Sequence, residues 1–418
     1  MTRSEPARRV VVTGLGFITP CGLTVGTFWD AVLAGKSTAG FLRRFDTAPM
    51  QSKLACEVTG FQPADYMSPL KAKRYDPSIT FAIAAANLAV KDSGLALDRM
   101  DPDRVGVVEG TSVSGIQTTV ETALGYAATG MKAIVPTRQV NAFAGGGASE
   151  IAIELGVAGQ ATTICTACSA GNDALGYAAR AITDDLADVM VAGASEAPIV
   201  PPYFALFSRS GAMSRRTDPA TAMRPFDRSR DGFVIGEGAV FLVLEELGHA
   251  LGRGARIYAE WLGHGQSCDS HSMVAIHESG RGYRRAMERA LYQANLPAAA
   301  IDYVNAHASA TEKNDVIETN SIKAVFGSRA KTLSVSGTKP VTGHLMGAIA
   351  AVEAAICALA VYHQMIPPTA NLDNPEDGCD LDYVRDGARP YPVRAALNLN
   401  MGFGGKASAV ILGRYPMT

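Results

Sequence analysis

Twice in this chain of 418 residues, a short run of β-branched and small residues ends near a reactive side chain and a long alanine-rich stretch follows. In the first half, residues 161–165 lead to Cys168 and then to the helical pattern at 170–183. In the second half, residues 333–336 lead through Thr342-Gly343 to His344, which opens the helical pattern at 345–361. Strand-like runs at 10–14, 105–108, 189–193, 257–262, 303–307 and 397–400 surround these points, and residues 81–90 read as a buried helix. Strands alternating with helices predict an α/β protein with helices packed on its sheets. The repetition of the pattern, without repetition of residues, predicts two equivalent halves, 1–250 and 251–418, joined near 247–256. A chain of this length exceeds one ordinary core, as two fused halves require.

Composition excludes several classes. Hydrophobic residues make up 47% and charged residues 19%, which fits a folded chain with a large interior. The net charge of -2 gives no bulk attraction for nucleic acid or membrane, so an acidic partner must meet a local basic patch. No apolar run reads as a membrane span. Residues 1–9 are polar, and the apolar run at 10–12 is too short for a signal-peptide core. Seven cysteines at irregular spacing, with no repeated zinc-type pairs, point to a reducing cytoplasmic setting and no metal. Cys165 and Cys168 form one C-x-x-C. A redox pair is disfavoured because Cys165 ends a strand, where its side chain is expected to be buried. Gly14-Leu15-Gly16 lacks the third glycine of a dinucleotide fingerprint and reads as a glycine-rich turn.

Chemistry concentrates around Thr166-Ala167-Cys168-Ser169-Ala170-Gly171. A cysteine at the amino end of a helix meets free N–H groups and the helix dipole, which lower its pKa and expose a nucleophilic thiolate. Small neighbours leave room for a substrate carbonyl, as acyl transfer requires. The alternative is a buried structural cysteine. Histidines downstream tip the choice toward chemistry.

Five segments, taken together, resemble the elongating β-ketoacyl-(acyl carrier protein) synthases, ketosynthases I and II and the ketosynthase subunits of type II polyketide synthases. They are the Cys168 segment; Arg224-Pro225-Phe226-Asp227 with Arg230-Asp231-Gly232-Phe233 and Gly236-Glu237-Gly238-Ala239; Asn305-Ala306-His307 with Thr311; Gly337-Thr338-Lys339 with Thr342-Gly343-His344-Leu345; and Gly402-Phe403-Gly404-Gly405. The resemblance implies a thiolase-like α-β-α-β-α five-layered sandwich built from two duplicated halves. It implies a decarboxylative Claisen condensation of a Cys-bound acyl chain with malonyl carrier protein, in fatty-acid or polyketide elongation.

By the same resemblance Cys168 is the nucleophile, and His307 and His344 stabilise the enolate left by decarboxylation. The Cys168 and Phe403 amides form an oxyanion hole, and Phe403 gates the acyl pocket. Lys339 supports the charge pattern around the histidines or is a structural ion pair, with Glu353 its expected partner on the His344 helix. Asp315 and Glu318, three apart on one helical face, are expected to be structural. Ser309 and Thr311 match the family's pantetheine-binding hydroxyls, and Ile116 is expected in the acyl pocket. His249, His264, His277 and His363 match no motif, and His271 falls near a pantetheine-facing segment.

The chain departs from the family pattern in its His307-Ala308-Ser309-Ala310-Thr311 loop, at Ser272 and Val274, and at Lys406-Ala407. These departures point to a specialised substrate. Lys73, Arg74 and Arg216 match family positions that dock the acidic carrier protein, although a charge cluster is as often a solvated face. No cofactor is expected beyond the phosphopantetheine carried by the substrates. The expected assembly is a homodimer, or a heterodimer with a chain-length partner subunit, formed through residues 162–165 and 134–148. That this chain is itself such a partner is disfavoured by its intact Cys168, His307 and His344.

Overall fold

The protein is described here from a computed structural model covering residues 8–416, so residues 1–7, part of the segment expected to be too polar for targeting, lie outside the description. Ten strands form one continuous sheet: β1 (Val10–Ile18), β2 (Val105–Gly110), β3 (Ala161–Ile164), β4 (Val189–Glu196), β5 (Gly238–Glu246), β6 (Ala259–Cys268), β7 (Tyr303–Asn305), β8 (Ser334–Ser336), β9 (Ala395–Gly402) and β10 (Lys406–Gly413). Their spatial order is β8-β7-β9-β10-β6-β1-β5-β4-β2-β3.

This order contains a repeat. From the centre outward the first half runs β1-β5-β4-β2-β3 and the second β6-β10-β9-β7-β8, each strand matching the one five later. In both halves the first two neighbouring pairs are antiparallel and the outer two parallel. The halves meet where Val10–Val12 of β1 pair with Ala259–Trp261 of β6, and the short helix Leu247–Gly252 carries the chain across.

Helices repeat in the same way. The first half has α1 (Pro77–Ser93), α2 (Gly146–Leu155) and α3 (Ala170–Thr183), and the second α4 (Arg281–Ala294), α5 (Asn314–Phe326) and α6 (Ile349–His363). α1 and α2 cover one outer face, α4 and α5 the other, while α3 and α6 pack on each other between the two halves of the sheet. The five-layered sandwich of duplicated halves is therefore present. Position explains composition. The buried face of α4 is amphipathic against polar outer residues, whereas α6 is buried from Ile349 through Val361 because sheet lies on both sides of it.

Two expectations need correction. Met346–His363 is long and apolar enough to cross a membrane by composition, but 89% of it is buried inside the protein as the central helix. Gly14 and Gly16 lie within β1, not in a turn. A Cβ at either would strike the carbonyl of Ala89 or Ala85, so they let α1 lie directly on the sheet. Strand lengths also differ. β1 runs four residues beyond Gly14, and α6 starts at Ile349 after the 3-10 turn Met346–Ala348.

Candidate active site

Cys168 lies where the chain leaves edge strand β3, passes through the 3-10 turn Ala167–Ser169 and enters α3. The turn is tight, with Ala167 in the left-handed region at φ 55°. The other half of the protein clamps it. Ser169 Oγ donates to the Lys406 carbonyl at 2.7 Å. A Cβ on Gly402 would stand 2.7 Å from the Thr166 carbonyl and 3.0 Å from the Cys168 amide, so close approach demands glycine there. The end of β9, and with it the Phe403 segment, is thereby held beside the Cys168 amide. Thr166 Oγ1 donates to Asp173 at 2.5 Å, and His264 joins Asp173 (3.2 Å) to Ser408 (3.1 Å) while packing on Gly176. His264 is thus a tie between α3 and the second half.

The thiol corrects the expected pKa. Burial pushes Cys168 up to about 12, against the opposing pull of the Lys339 charge. At neutral pH the resting group is then a thiol.

Both histidines line the same cavity as Cys168, with ring centres 5.7 Å apart and planes at 85°. Burial first, then the charge of Lys339, holds both well below the usual 6.5, so both rings are neutral. Their tautomers follow from their neighbours. The Met346 amide donates to His344 Nδ1 at 3.1 Å, so the His344 proton is on Nε2. His307 Nδ1 faces Lys339 Nζ at 3.5 Å and Asn400 Nδ2 at 3.4 Å, both donors, so its proton is on Nε2 as well. Two Nε2–H groups are left without a protein acceptor among the described residues. Lys339 is fully buried, donates to the His307 carbonyl, and pairs with fully buried Glu353 at 2.7 Å. Leaving one of these charges alone would be costly, so the pair is a unit.

The loop after His307 is held by the acidic pair on α5. Glu318 accepts from the amides of His307 (2.6 Å) and Ala308 (2.8 Å), and Asp315 from those of Ala310 (3.1 Å) and Phe226 (2.7 Å). Burial raises both carboxyls, Glu318 to about 8. Ala308 and Ala310 sit at φ 45° and 60°, strained for residues with a Cβ, and the three bonds from the His307, Ala308 and Ala310 amides hold them there. Ser309 and Thr311 line the cavity, their hydroxyls 2.9 Å apart.

Glu196, at the end of β4, was not singled out from the sequence. It is fully buried and accepts from Thr111 Oγ1 (2.9 Å), the amides of Ser112 (2.8 Å) and Val113 (3.0 Å), the Ser112 hydroxyl, and the Gly347 amide (2.9 Å). It ties the loop after β2 to the turn after His344. Asn400 was also missed. A glutamate or asparagine within an apolar strand was the one signal available for either.

The cavity measures about 430 Å³, with Cys168, His307 and His344 inside and Phe207, Phe233 and Phe403 among its walls. Phe403 is 39% exposed and stacks on Phe207 at 5.8 Å, while Phe233 meets His344 edge-on at 4.8 Å. His271 also lines the cavity. Ile116 does not. It is half-buried in the first turn of the helix Ile116–Thr129 and is not among the lining residues. Cys165 is exposed, not buried as its strand position suggested, because β3 is the sheet edge. Lys73 is exposed, but Arg74 donates to the Thr137 carbonyl at 3.2 Å, and Arg216 turns to the Ser229 carbonyl (2.7 Å) and Asp231 (3.8 Å). Among the described residues no group of three or more His, Cys, Asp or Glu is placed to hold a metal ion.

Comparison with known proteins gives a consistent result. The profile of the beta-ketoacyl synthase N-terminal domain matches residues 7–250 and that of the C-terminal domain residues 258–373. The chain is 38% identical to 3-oxoacyl-[acyl-carrier-protein] synthase 2 of Synechocystis sp. over 98% of each chain. It is 40% identical to the tetracenomycin polyketide synthase ketoacyl synthase alpha subunit of Streptomyces glaucescens over 99% of each. Among solved structures, the ishigamide ketosynthase/chain length factor superposes with a TM-score of 0.91 at 36% identity, covering 98% of this chain and 100% of that one. A type II polyketide synthase acyl-carrier protein in complex with its ketosynthase gives 0.91 at 32%, with the same coverage.

Proposed function

Because this chain belongs to the beta-ketoacyl synthase family, we propose how its cavity divides the labour of an elongating ketosynthase. The enzyme is an acyltransferase of the condensing type, a 3-oxoacyl-[acyl carrier protein] synthase. One observation carries the reading: Cys168 from the first half and two neutral histidines from the second share one cavity, both histidines with Nε2–H free.

In the first half-reaction Cys168 Sγ attacks the acyl carbonyl of a carrier-protein thioester. The pantetheine thiol leaves, taking up the proton that Cys168 loses, so the exchange is balanced and close to isoenergetic. The tetrahedral oxygen is held by the amides of Cys168 and Phe403, which Gly402 brings together. In the second, the bond from the malonyl α-carbon to its carboxylate breaks, CO₂ departs, and its electron pair forms an enolate. The two Nε2–H groups hold the enolate oxygen, a role that neutral rings fill without giving up a proton. The α-carbon then attacks the Cys168 thioester, the carbon–sulfur bond breaks, and the sulfur leaves as a thiolate that takes up a proton from solvent to restore the resting thiol. Lys339 and Glu353 hold His307, and Asp315 and Glu318 hold its loop. Ser309 and Thr311 bind the pantetheine arm, and Phe403 swings off Phe207 when acyl chains enter.

The carrier protein docks near Lys73, with Arg74 and Arg216 contributing less because both are partly tied inward. No cofactor or metal of its own takes part, and the protein works in the cytoplasm. It acts as a dimer. Support comes from exposed Leu124, Tyr126, Met131, Val135 and Phe143, in the segment leading into α2, and from the open edge of β3, against which α2 packs. A chain-length subunit as the second member gains support from the departures at Ser272, Val274 and Lys406. Mass spectrometry of acyl groups trapped on Cys168, with fatty-acid and polyketide carrier proteins as donors, tests the reading and names the substrate. Failure of any carrier-protein thioester to acylate Cys168 would overturn it.

A further inference from the structure

A donor held against Nδ1 of His307 keeps the ring's proton on Nε2, and the structure shows where the orientation of that donor begins. The backbone carbonyl of Ala350, at the start of α6, can only accept. Asn398 Nδ2 donates to it at 2.8 Å and to Asn172 Oδ1 at 2.8 Å. Since Asn172 Oδ1 is the accepting end, Asn172 Nδ2 points the other way and donates to Asn400 Oδ1 at 3.0 Å. Asn400 is then fixed in turn. Its Nδ2 donates to Glu353 Oε2 at 2.7 Å and faces His307 Nδ1 at 3.4 Å. All three amides are fully buried, where water cannot reorient them. The carbonyl at the start and the carboxylate at the end both accept, so the contacts along the chain can run in one sense only, and of the three amides only Asn398 Oδ1 is left without a partner among the described residues.

We propose that Asn400, oriented by Asn172 and Asn398, is a positioning residue that sets the tautomer of His307 and thereby its capacity to hold the enolate oxygen. The relay crosses between the halves: Asn172 is on α3, one turn beyond Cys168, while Asn398 and Asn400 are on β9. It therefore links the helix that carries the nucleophile to the ring that acts in the second half-reaction. Lys339 Nζ also faces Nδ1, but its shorter bonds go to the His307 carbonyl and Glu353. The inference rests on the role given above to His307. The charged or titratable groups around the ring are Lys339, His344, Glu353, Glu318, whose carboxyl group accepts from the His307 amide, and Cys168 across the cavity.

The test uses full-length enzyme labelled with ¹⁵N-histidine, Asn400→Leu and Asn172→Leu variants, and His307→Ala to assign the resonances. In the unsubstituted enzyme the His307 spectrum should show the proton on Nε2. In Asn400→Leu it should show a mixture of tautomers. Malonyl decarboxylation should fall about 10–100-fold, as when a residue that orients a reacting group is lost, while acylation of Cys168 changes by less than about threefold. Asn172→Leu, one bond further away, should shift the tautomer in the same direction with a smaller loss, and it provides the measurement if Asn400→Leu does not fold. An unchanged Nε2–H tautomer in the folded variants, or equal losses in both half-reactions, overturns the proposal. Failure of the underlying role would appear separately, as wild-type decarboxylation by His307→Ala.

Discussion

The turn that carries Cys168 and the turn that carries His344 occupy equivalent places, each between the outermost strand of its half and a central helix. Yet their side chains need opposite surroundings. The Cys168 turn passes within five residues from β3 into α3, with Ala167 strained, and is pressed by Gly402 and Lys406 of the second half. The His344 turn is longer and lies extended against the first half. Its amide donates to the Val234 carbonyl at 2.8 Å, and its carbonyl accepts from Gly236 at 2.9 Å. Each reactive residue is thus supplied by one half and held by the other. Two similar turns, each packed against the opposite half, thus present a buried thiol in one case and a neutral imidazole in the other.

The largest expected effect breaks the first turn. Cys168→Ala should lower condensation by on the order of 10³-fold or more. Malonyl decarboxylation should persist, because the histidine pair is intact. Detection of an acyl-enzyme at Cys165 in that variant, by peptide mapping, would reassign the nucleophile.

Breaking the second turn should give the converse. His344→Ala and His307→Ala should each slow decarboxylation by about 10²–10³-fold, the typical value of one preorganised oxyanion donor. Acylation of Cys168, which uses backbone amides, should lose far less. Parallel losses in CO₂ release and self-acylation would erase the distinction between the two turns.

The clamps can be compared directly. Gly402→Ala places a Cβ against backbone at the Cys168 turn and should cost about 10²-fold in acylation, as a misplacement near 1 Å does. Gly236→Ala beside the His344 turn meets first the Leu345 Cδ1 methyl at 3.0 Å, a side chain with some freedom to move, and should cost about tenfold or less. Reversal of that order, measured by stopped-flow acylation and CO₂ release, would show the second clamp to be the stiffer.

The acid–base state of the first turn is open to titration. A thiol raised to about 12 is protonated at pH 7, so iodoacetamide modification of Cys168 should climb about tenfold per pH unit through pH 7–9 without a plateau. A plateau at or below pH 8 would mean that the helix terminus outweighs burial. The smallest effect should be at the surface. Lys73→Glu should raise KM for carrier-protein substrates by about threefold to tenfold, Arg216→Glu by less, and neither should alter small thioester mimics.

Much of the site was legible because it lies at places where the chain pattern changes. Cys168, His307 and His344 each follow a short β-branched run, and α3 spans the residues its alanine periodicity suggests. Errors arose where local pattern and tertiary use diverge. Gly14 and Gly16 look like a turn but make room for a helix, Cys165 ends a strand that happens to be an edge, and Ile116 follows a glycine without facing the cavity. Glu196 and Asn400 carried one weak signal, since one polar residue in an apolar strand does not reveal its partners.

The order of strands and helices along the chain, the duplication, and the presence of a thiol and two imidazoles in connections between strands and helices were determined by the sequence alone, because backbone periodicity and turn chemistry are local properties. Which way each reactive group titrates, where each imidazole keeps its proton, and why residue 402 must be glycine were decided only by the tertiary structure. These depend on desolvation and on donors such as the Met346 amide, Lys339 and Asn400, and on backbone of the opposite half lying within 3.0 Å of where a Cβ on residue 402 would stand. Such groups are brought together across more than a hundred residues of chain, as Asn172 and Asn400 are, and no local pattern records their meeting.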